Sequence, residues 1–265
     1  MRLEWEGREI DVREAGTGPS VVLVHGYPLD GAMWSGVARS LSARFRVFKP
    51  DLPGRGENPV AAAGDLDAYA GFLEALVASL PAPVGLAGFS MGGYVAFALL
   101  RRARVAVHAL ALVDTRAEAD DEAGRAKRDE AIALVRASGV EKIAEAMVPR
   151  LVAPPSLANR DLVERLRRII VRQKPETVEA DLTAMKTRRD ATALLAGLRV
   201  PTRVLVGDED ALTPPELSER MAAAIPGARL VRIPAAGHLT PMERPGAVTA
   251  ALSDLFGSAL APGAA

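Results

Sequence analysis

The residues best suited to chemistry sit in Leu86-Ala87-Gly88-Phe89-Ser90-Met91-Gly92-Gly93. The apolar segment from Val84 to Gly88, bounded by Pro83, suits a buried strand, and the alanine-rich run from Tyr94 to Arg101 suits a buried helix. Ser90 therefore falls where a strand turns into a helix. Such a turn asks for a positive φ at the serine and for the chain to pass close to itself, which Gly88 and Gly92 permit because they carry no Cβ. The hydroxyl is then presented at a helix N-terminus. There the N–H of Met91 has no intrahelical acceptor and the helix dipole favours developing negative charge, which supplies half of an oxyanion hole.

A serine hydroxyl is a weak nucleophile at neutral pH; it needs a base within hydrogen-bond reach, and the base needs a carboxylate to hold its tautomer. The chain has three histidines. His25 stands at a strand end, where bracing its own loop through a backbone hydrogen bond explains it. His108 enters an apolar strand. His238, after Gly237 in a loop that follows the last strand, is the one free to act as base. The cluster Asp208-Glu209-Asp210 follows the preceding strand, and Asp114, which also ends a strand, is a second candidate carboxylate. Serine, acid and histidine thus come in the order known for one class of serine enzyme, each at the carboxyl end of a strand, where parallel sheets bind ligands.

The elements that must position these groups can be read from periodicity. Leu3 and Trp5, then Ile10 and Val12, alternate with charges around Glu6-Gly7-Arg8, which predicts an antiparallel hairpin at an edge of the sheet. Ser20 to Val24 is a continuous apolar run, as for a strand covered on both faces, and it ends at His25-Gly26-Tyr27-Pro28. A helix from Trp34 to Leu41 and a strand from Phe45 to Phe48 follow, so the sheet is parallel. Another helix, carrying Leu66, Phe72, Leu73, Leu76 and Leu80, leads into the Ser90 strand. Val107 to Val113 makes the next strand. From Arg116 to Arg189 the pattern is helical and charged throughout, with breaks expected at Pro149, Pro154-Pro155 and Pro175. The arginines at 165, 167, 168 and 172 read as a solvated helix face. Strands resume at Thr202 to Gly207 and Arg229 to Ile233, a last helix runs from about Pro245 to Phe256, and the tail Ala259 to Ala265 is expected to be mobile.

Composition removes other classes. The chain has 265 residues and 49% hydrophobic content, enough for one large core. Lys plus Arg equals Asp plus Glu at 33 each, so no global field draws in nucleic acid or an anionic membrane. The absence of cysteine excludes disulfides, thiol nucleophiles and Cys-type zinc sites. With three scattered histidines, no metal is expected. Gly16-x-Gly18 lacks the third glycine and helix of a dinucleotide fingerprint, and no phosphate-binding Gly-Lys-Ser/Thr is present. No cofactor is expected. The N-terminus alternates apolar and charged residues, unlike a signal peptide, and no apolar run reaches spanning length, so a cytoplasmic location is expected.

Gly88-Phe89-Ser90-Met91-Gly92 resembles the nucleophile elbow of the α/β-hydrolases, and the resemblance extends over nearly the whole chain. His25-Gly26-Tyr27-Pro28 is similar to that family's oxyanion loop, which implies the Tyr27 N–H as the second donor beside Met91. Asp51-Leu52-Pro53-Gly54-Arg55-Gly56 resembles the next loop, Gly207-Asp208-Glu209-Asp210 the acid loop, and Gly237-His238 the histidine loop. By this resemblance the carboxylate is Asp210 and not Asp208, with Asp114, where some members of the family place it, as the alternative. The fold implied is an α/β sheet, mostly parallel and doubly wound, with an N-terminal antiparallel hairpin. Residues 1–115 and 190–265 would form the core, and 116–189 a helical cap. The implied activity is hydrolysis of a small carboxylic ester or lactone through an acyl-enzyme. Perhydrolase or haloperoxidase-type activity and a non-catalytic ligand-binding role are the alternatives. Aspartate-nucleophile dehalogenases and epoxide hydrolases are disfavoured by Ser90. The pocket is expected between sheet and cap, lined by Tyr27, Trp34, Phe89, Met91, Met147 and Leu212 and favouring a small, largely apolar acyl group, in a monomer or homodimer.

Overall fold

A computed structural model describes residues 1–56 and 58–261. The chain opens with strands β1 (Arg2–Trp5) and β2 (Arg8–Asp11), which pair antiparallel with Leu3 opposite Ile10. This hairpin does not extend the main sheet, as expected, but forms a separate two-stranded sheet. Its alternation buries only one face: Leu3 and Ile10 turn inward, and Trp5 sets its ring edge-on to Phe72 at 5.3 Å. The edge position is taken by β3 (Arg13–Ala15).

The remaining strands are β4 (Ser20–Val24), β5 (Arg46–Lys49), β6 (Val84–Phe89), β7 (Ala109–Val113), β8 (Thr202–Gly207) and β9 (Arg229–Ile233). They form a seven-stranded sheet in the order β3-β5-β4-β6-β7-β8-β9, in which only the β3–β5 pair is antiparallel. Every residue of β4, β6, β7 and β8 is buried, which is why these strands read as unbroken apolar runs. The chain leaves β4 toward β5 on one side and returns to β6 on the other. The loops after β4 and β6 therefore diverge over a crevice at the carboxyl edge.

Helices α1 (Ser35–Leu41), α2 (Leu66–Ala78) and α3 (Met91–Arg102) follow the early strands. Between β7 and β8 the described chain is helical: α4 (Glu122–Leu151), a 3-10 turn (Pro154–Ala158), α5 (Arg160–Val171), α6 (Pro175–Lys186) and the short α7 (Thr192–Leu195). Within α4 the break falls at Gly139, whose φ of 77° interrupts the helix, and not at Pro149. Proline removes one backbone donor, but here the helix runs on to Leu151. Helices α8 (Pro215–Ala224), α9 (Thr240–Glu243) and α10 (Pro245–Ala259) complete the chain. Of the tail expected to be mobile, Ala259 ends α10 and Leu260 is buried, while 262–265 lie outside the described residues. Among the described residues no helix is long and apolar enough to cross a membrane.

Candidate active site

Ser90 closes β6 and opens α3 with φ 50° and ψ −114°, a conformation that needs support from its neighbours. Its N–H donates to the Val113 carbonyl at 2.9 Å, and its carbonyl accepts from Thr115 Oγ1 at 2.8 Å. The turn is close-packed on its inner side. A Cβ on Gly88 would lie 2.5 Å from the Gly92 carbonyl oxygen, and one on Gly92 would lie 2.5 Å from that of Val24, so neither position accepts a larger residue.

His238, from the loop after β9, brings Nε2 to 2.9 Å from Ser90 Oγ. Its Nδ1 lies 2.8 Å from Asp210 Oδ2, which fixes a tautomer with the proton on Nδ1 and leaves Nε2 to accept from the serine. Phe89 backs the imidazole at 5.2 Å between ring centres. Asp210 is held in turn: Oδ1 accepts from the Leu212 and Thr213 N–H groups at 2.8 and 2.9 Å, and Oδ2 accepts from Thr213 Oγ1 at 2.7 Å. Burial alone would raise the Asp210 pKa, but the facing His238 and the donors from His238 and Thr213 outweigh it and hold the carboxyl below its ordinary value. Thr213, absent from the sequence reading, is also 3.2 Å from His238 Nδ1; no motif in the sequence pointed to it, beyond its place in a turn closed by Asp210.

Asp114, the other candidate carboxylate, makes no hydrogen bond to the histidine. Its Oδ1 accepts from the Gly207 N–H at 3.0 Å, and Oδ2 accepts from the N–H of Thr240 at 3.3 Å and its hydroxyl at 2.5 Å, so it splices the acid loop to the segment after His238. Complete burial, and then the charge of Asp210, push its pKa well above the usual carboxylate range. His25 is a loop brace. Its Nδ1 lies 3.1 Å from the Gly26 carbonyl, and its Nε2 accepts from the Leu52 N–H at 3.1 Å. Burial, with the charge of Arg55, lowers its pKa to about 3, and it is neutral at physiological pH.

The Tyr27 loop lies against the Ser90 turn: a Cβ on Gly26 would come within 3.0 Å of the Phe89 carbonyl oxygen. Among the described residues neither the Tyr27 nor the Met91 N–H donates to another group, and Met91 is the first residue of α3. Both are free to donate to an anionic oxygen.

A cavity of about 470 Å³ opens above Ser90 and His238, walled by Tyr27, Leu212 and Thr213 below and by α4 and α6 above, including Leu134, Met147, Leu182 and Met185. Trp34, Phe89 and Met91 do not line it. They are fully buried beneath it, Trp34 set edge-on to Phe89 at 6.4 Å, because their strand and helix positions turn them into the core. Arg116, Asp120, Asp121, Lys127, Arg128 and Arg150 also line the cavity, a charged wall that the expectation of a largely apolar acyl group did not include. The sequence showed that the segment from 116 is charged but not which charges the fold turns toward Ser90.

Buried polar links tie the helices between β7 and β8 to the carboxyl-edge loops. Glu243 accepts from the Gly237 N–H at 2.9 Å and from the Ala153 N–H at 2.8 Å, joining the histidine loop to the chain after α4. Arg55 pairs with Asp181 of α6, which also accepts from the Tyr69 hydroxyl at 2.8 Å. Of the arginines read as a solvated face, 165, 167 and 168 are exposed, whereas Arg172 clamps Asp30. Among the described residues no three His, Cys, Asp or Glu side chains are grouped to hold a metal.

The chain belongs to the α/β-hydrolase family: residues 21–252 match the model described as Alpha/beta hydrolase family. The sheet order and the helices packed on it are those of the α/β-hydrolase fold. A pimeloyl-[acyl-carrier protein] methyl ester esterase of Methylococcus capsulatus is 33% identical over 234 residues, covering 86% of this chain and 91% of that protein. The structure of a thermophilic esterase from Thermogutta terrifontis, with malate bound, superposes with a TM-score of 0.92 at 40% identity, over 98% of each chain. The enol-lactonase of Burkholderia xenovorans LB400 superposes with a TM-score of 0.88 at 25% identity, over 97% of this chain and all of that one.

Proposed function

We propose that this chain hydrolyses a carboxylic ester or lactone through an acyl-enzyme on Ser90. The observation that carries the reading is the continuous hydrogen-bonded line from Ser90 Oγ through His238 to Asp210, at 2.9 and 2.8 Å. His238 Nε2 takes the serine proton as Oγ attacks the carbonyl carbon, and Asp210 stabilises the imidazolium that forms. The Tyr27 and Met91 N–H groups receive the oxyanion of the tetrahedral intermediate. His238 then gives its proton to the leaving alcohol or enolate; in the second half it removes one from the water that attacks the acyl carbon and returns it to Ser90 Oγ as the acid leaves. No step asks for a metal or organic cofactor. The relatives' own names, esterase and enol-lactonase, agree with this class of reaction. In the same reading residues 116–189 act as a cap that selects substrate, and Met147 and Leu212 are contact residues.

The test is a panel of activated and simple esters and lactones offered to the purified protein and to Ser90→Ala. Turnover by the parent that is lost in Ser90→Ala supports the reading. Undiminished turnover in the variant, or none by the parent on any activated ester, ends it.

A further inference from the structure

The cavity above Ser90 carries a local excess of positive charge in a chain whose formal net charge is zero. Its centre is Asp120, with a side chain 1% exposed, which pairs with three guanidinium groups: Arg116, Arg128 at 3.1 Å and Arg188 at 2.9 Å. Burial disfavours its charge, but these arginines outweigh that and hold its pKa low, so one carboxylate answers three cations. Arg116 and Arg128 line the cavity, and Lys127 and Arg150 add two more cations at its rim, neither with an acidic partner among the described residues. The remaining acid on the wall, Asp121, is engaged in capping α4 through the Gly124 N–H at 2.7 Å.

A second observation points the same way. The Tyr27 hydroxyl, on the cavity wall, is buried with no hydrogen-bond partner, and so is Nε of Arg116. Buried donors without partners are costly, and their place beside surplus charge marks where a ligand's acceptor belongs. Burial raises the Tyr27 pKa despite the nearby charges of Arg128 and Arg55, so the hydroxyl stays protonated and able to donate.

We infer that the ester or lactone cleaved at Ser90 carries a second, anionic group, a carboxylate, which Arg116, Arg128 and the Tyr27 hydroxyl hold while Lys127 and Arg150 draw it in. This rests on the acyl-enzyme reading of Ser90 and deepens it. The walls between the two ends, Met147, Leu134 and Leu182 among them, then suit the apolar methylenes joining carbonyl and carboxylate.

The experiment compares kcat/KM for monomethyl succinate, glutarate and adipate with that for the neutral methyl ester of each equally long monocarboxylic acid. A neutral activated ester runs alongside to report the acyl-enzyme chemistry. The best charged ester should exceed its neutral counterpart by about ten- to a hundredfold, mostly in KM, as expected for one charge-assisted recognition site. The advantage should shrink with added salt. Arg128→Gln should remove most of it. Because Arg128 braces Asp120, the exposed pair Lys127→Gln and Arg150→Gln gives the same test with the fold not at stake, and each should lower the charged-to-neutral ratio several-fold. Equal or better turnover of the neutral esters, or a ratio unmoved by all three variants, overturns the inference while the activated ester still turns over. If the activated ester is also inert, the acyl-enzyme reading has failed instead.

Discussion

The Asp30 carboxylate, three residues beyond Tyr27, accepts two hydrogen bonds from Arg172 at the end of α5, from Nε at 2.7 Å and Nη2 at 2.6 Å. Asp30 is buried and also accepts from Gln173 Nε2 at 2.9 Å and the Ala32 N–H at 2.9 Å, whereas half of the Arg172 side chain meets solvent. The loop whose Tyr27 N–H is proposed to meet the oxyanion is thus clamped by a helix between β7 and β8.

The two ends of this clamp should respond unequally. Arg172→Ala leaves a buried carboxylate with weaker compensation and should cost about 2 kcal/mol, less than a fully buried pair because solvent reaches the site. Asp30→Asn keeps one acceptor oxygen, for the Ala32 N–H, and turns an amide NH2 toward Gln173 Nε2, but it removes the buried charge and frees an arginine that water can solvate, and should cost about 1 kcal/mol. Arg172→Ala should also lower kcat several-fold by loosening the Tyr27 loop. Chemical denaturation and ester kinetics on both variants check the asymmetry; equal costs would mean that the charge on Asp30 is immaterial.

Ser90→Ala and His238→Ala should each lower kcat by on the order of 10³-fold or more without unfolding the protein. Asp210→Asn should fall in the same range, since it disturbs the tautomer and the imidazolium together. Asp114→Asn should lose less than about tenfold in kcat and show its effect in thermal stability, because Asp114 bonds Gly207 and Thr240 and not His238. The reverse ranking of the two aspartates, measured on one ester, would reassign the acid.

Met147 lies on the cavity wall, partly buried against the core. Met147→Ala should shift the ratio of kcat/KM between short and long acyl esters by about 1 to 3 kcal/mol, the worth of a methylene or two in an apolar contact. The kcat for the best small ester should change little. A drop in melting temperature with an unchanged ratio would make Met147 a packing residue only.

His25 gives a pH signature to stability. Its folded pKa, about 3, lies below the ordinary 6.5, so between these values the unfolded chain binds a proton that the native chain does not. Stability from this group is therefore fully present above about pH 6.5 and is lost as pH falls toward 3, by up to about 1.4 kcal/mol per pH unit. Asp30 and Asp210, with lowered pKa values, add the same sign only below the ordinary carboxylate range. His25→Gln should lower the melting temperature at pH 7 and flatten its fall between pH 7 and pH 5. A slope as steep as the parent's would assign the effect to another group.

The sequence by itself determined the local events. A buried strand, a glycine on each side of Ser90 and an alanine-rich helix compel the strained turn, because only that geometry satisfies the close approach of Gly88 to Gly92. The buried strands were legible since apolar runs report burial on both faces, and the order of serine, acid and histidine followed from the strand ends. Periodicity says that a face is covered, not by what. Only the tertiary structure decided that Asp210 and not Asp114 meets His238, since both end buried strands and differ in where their loops turn. It also sent Trp34 and Phe89 into the core, set the N-terminal hairpin apart from the main sheet, and moved the break in α4 to Gly139. Above all it folded residues 116–121 and the first turns of α4 over Ser90. The charges at 116, 120, 127 and 128 look like any solvated helix in one dimension, and become a wall of the cavity only when β7 and the helices beyond it are packed together.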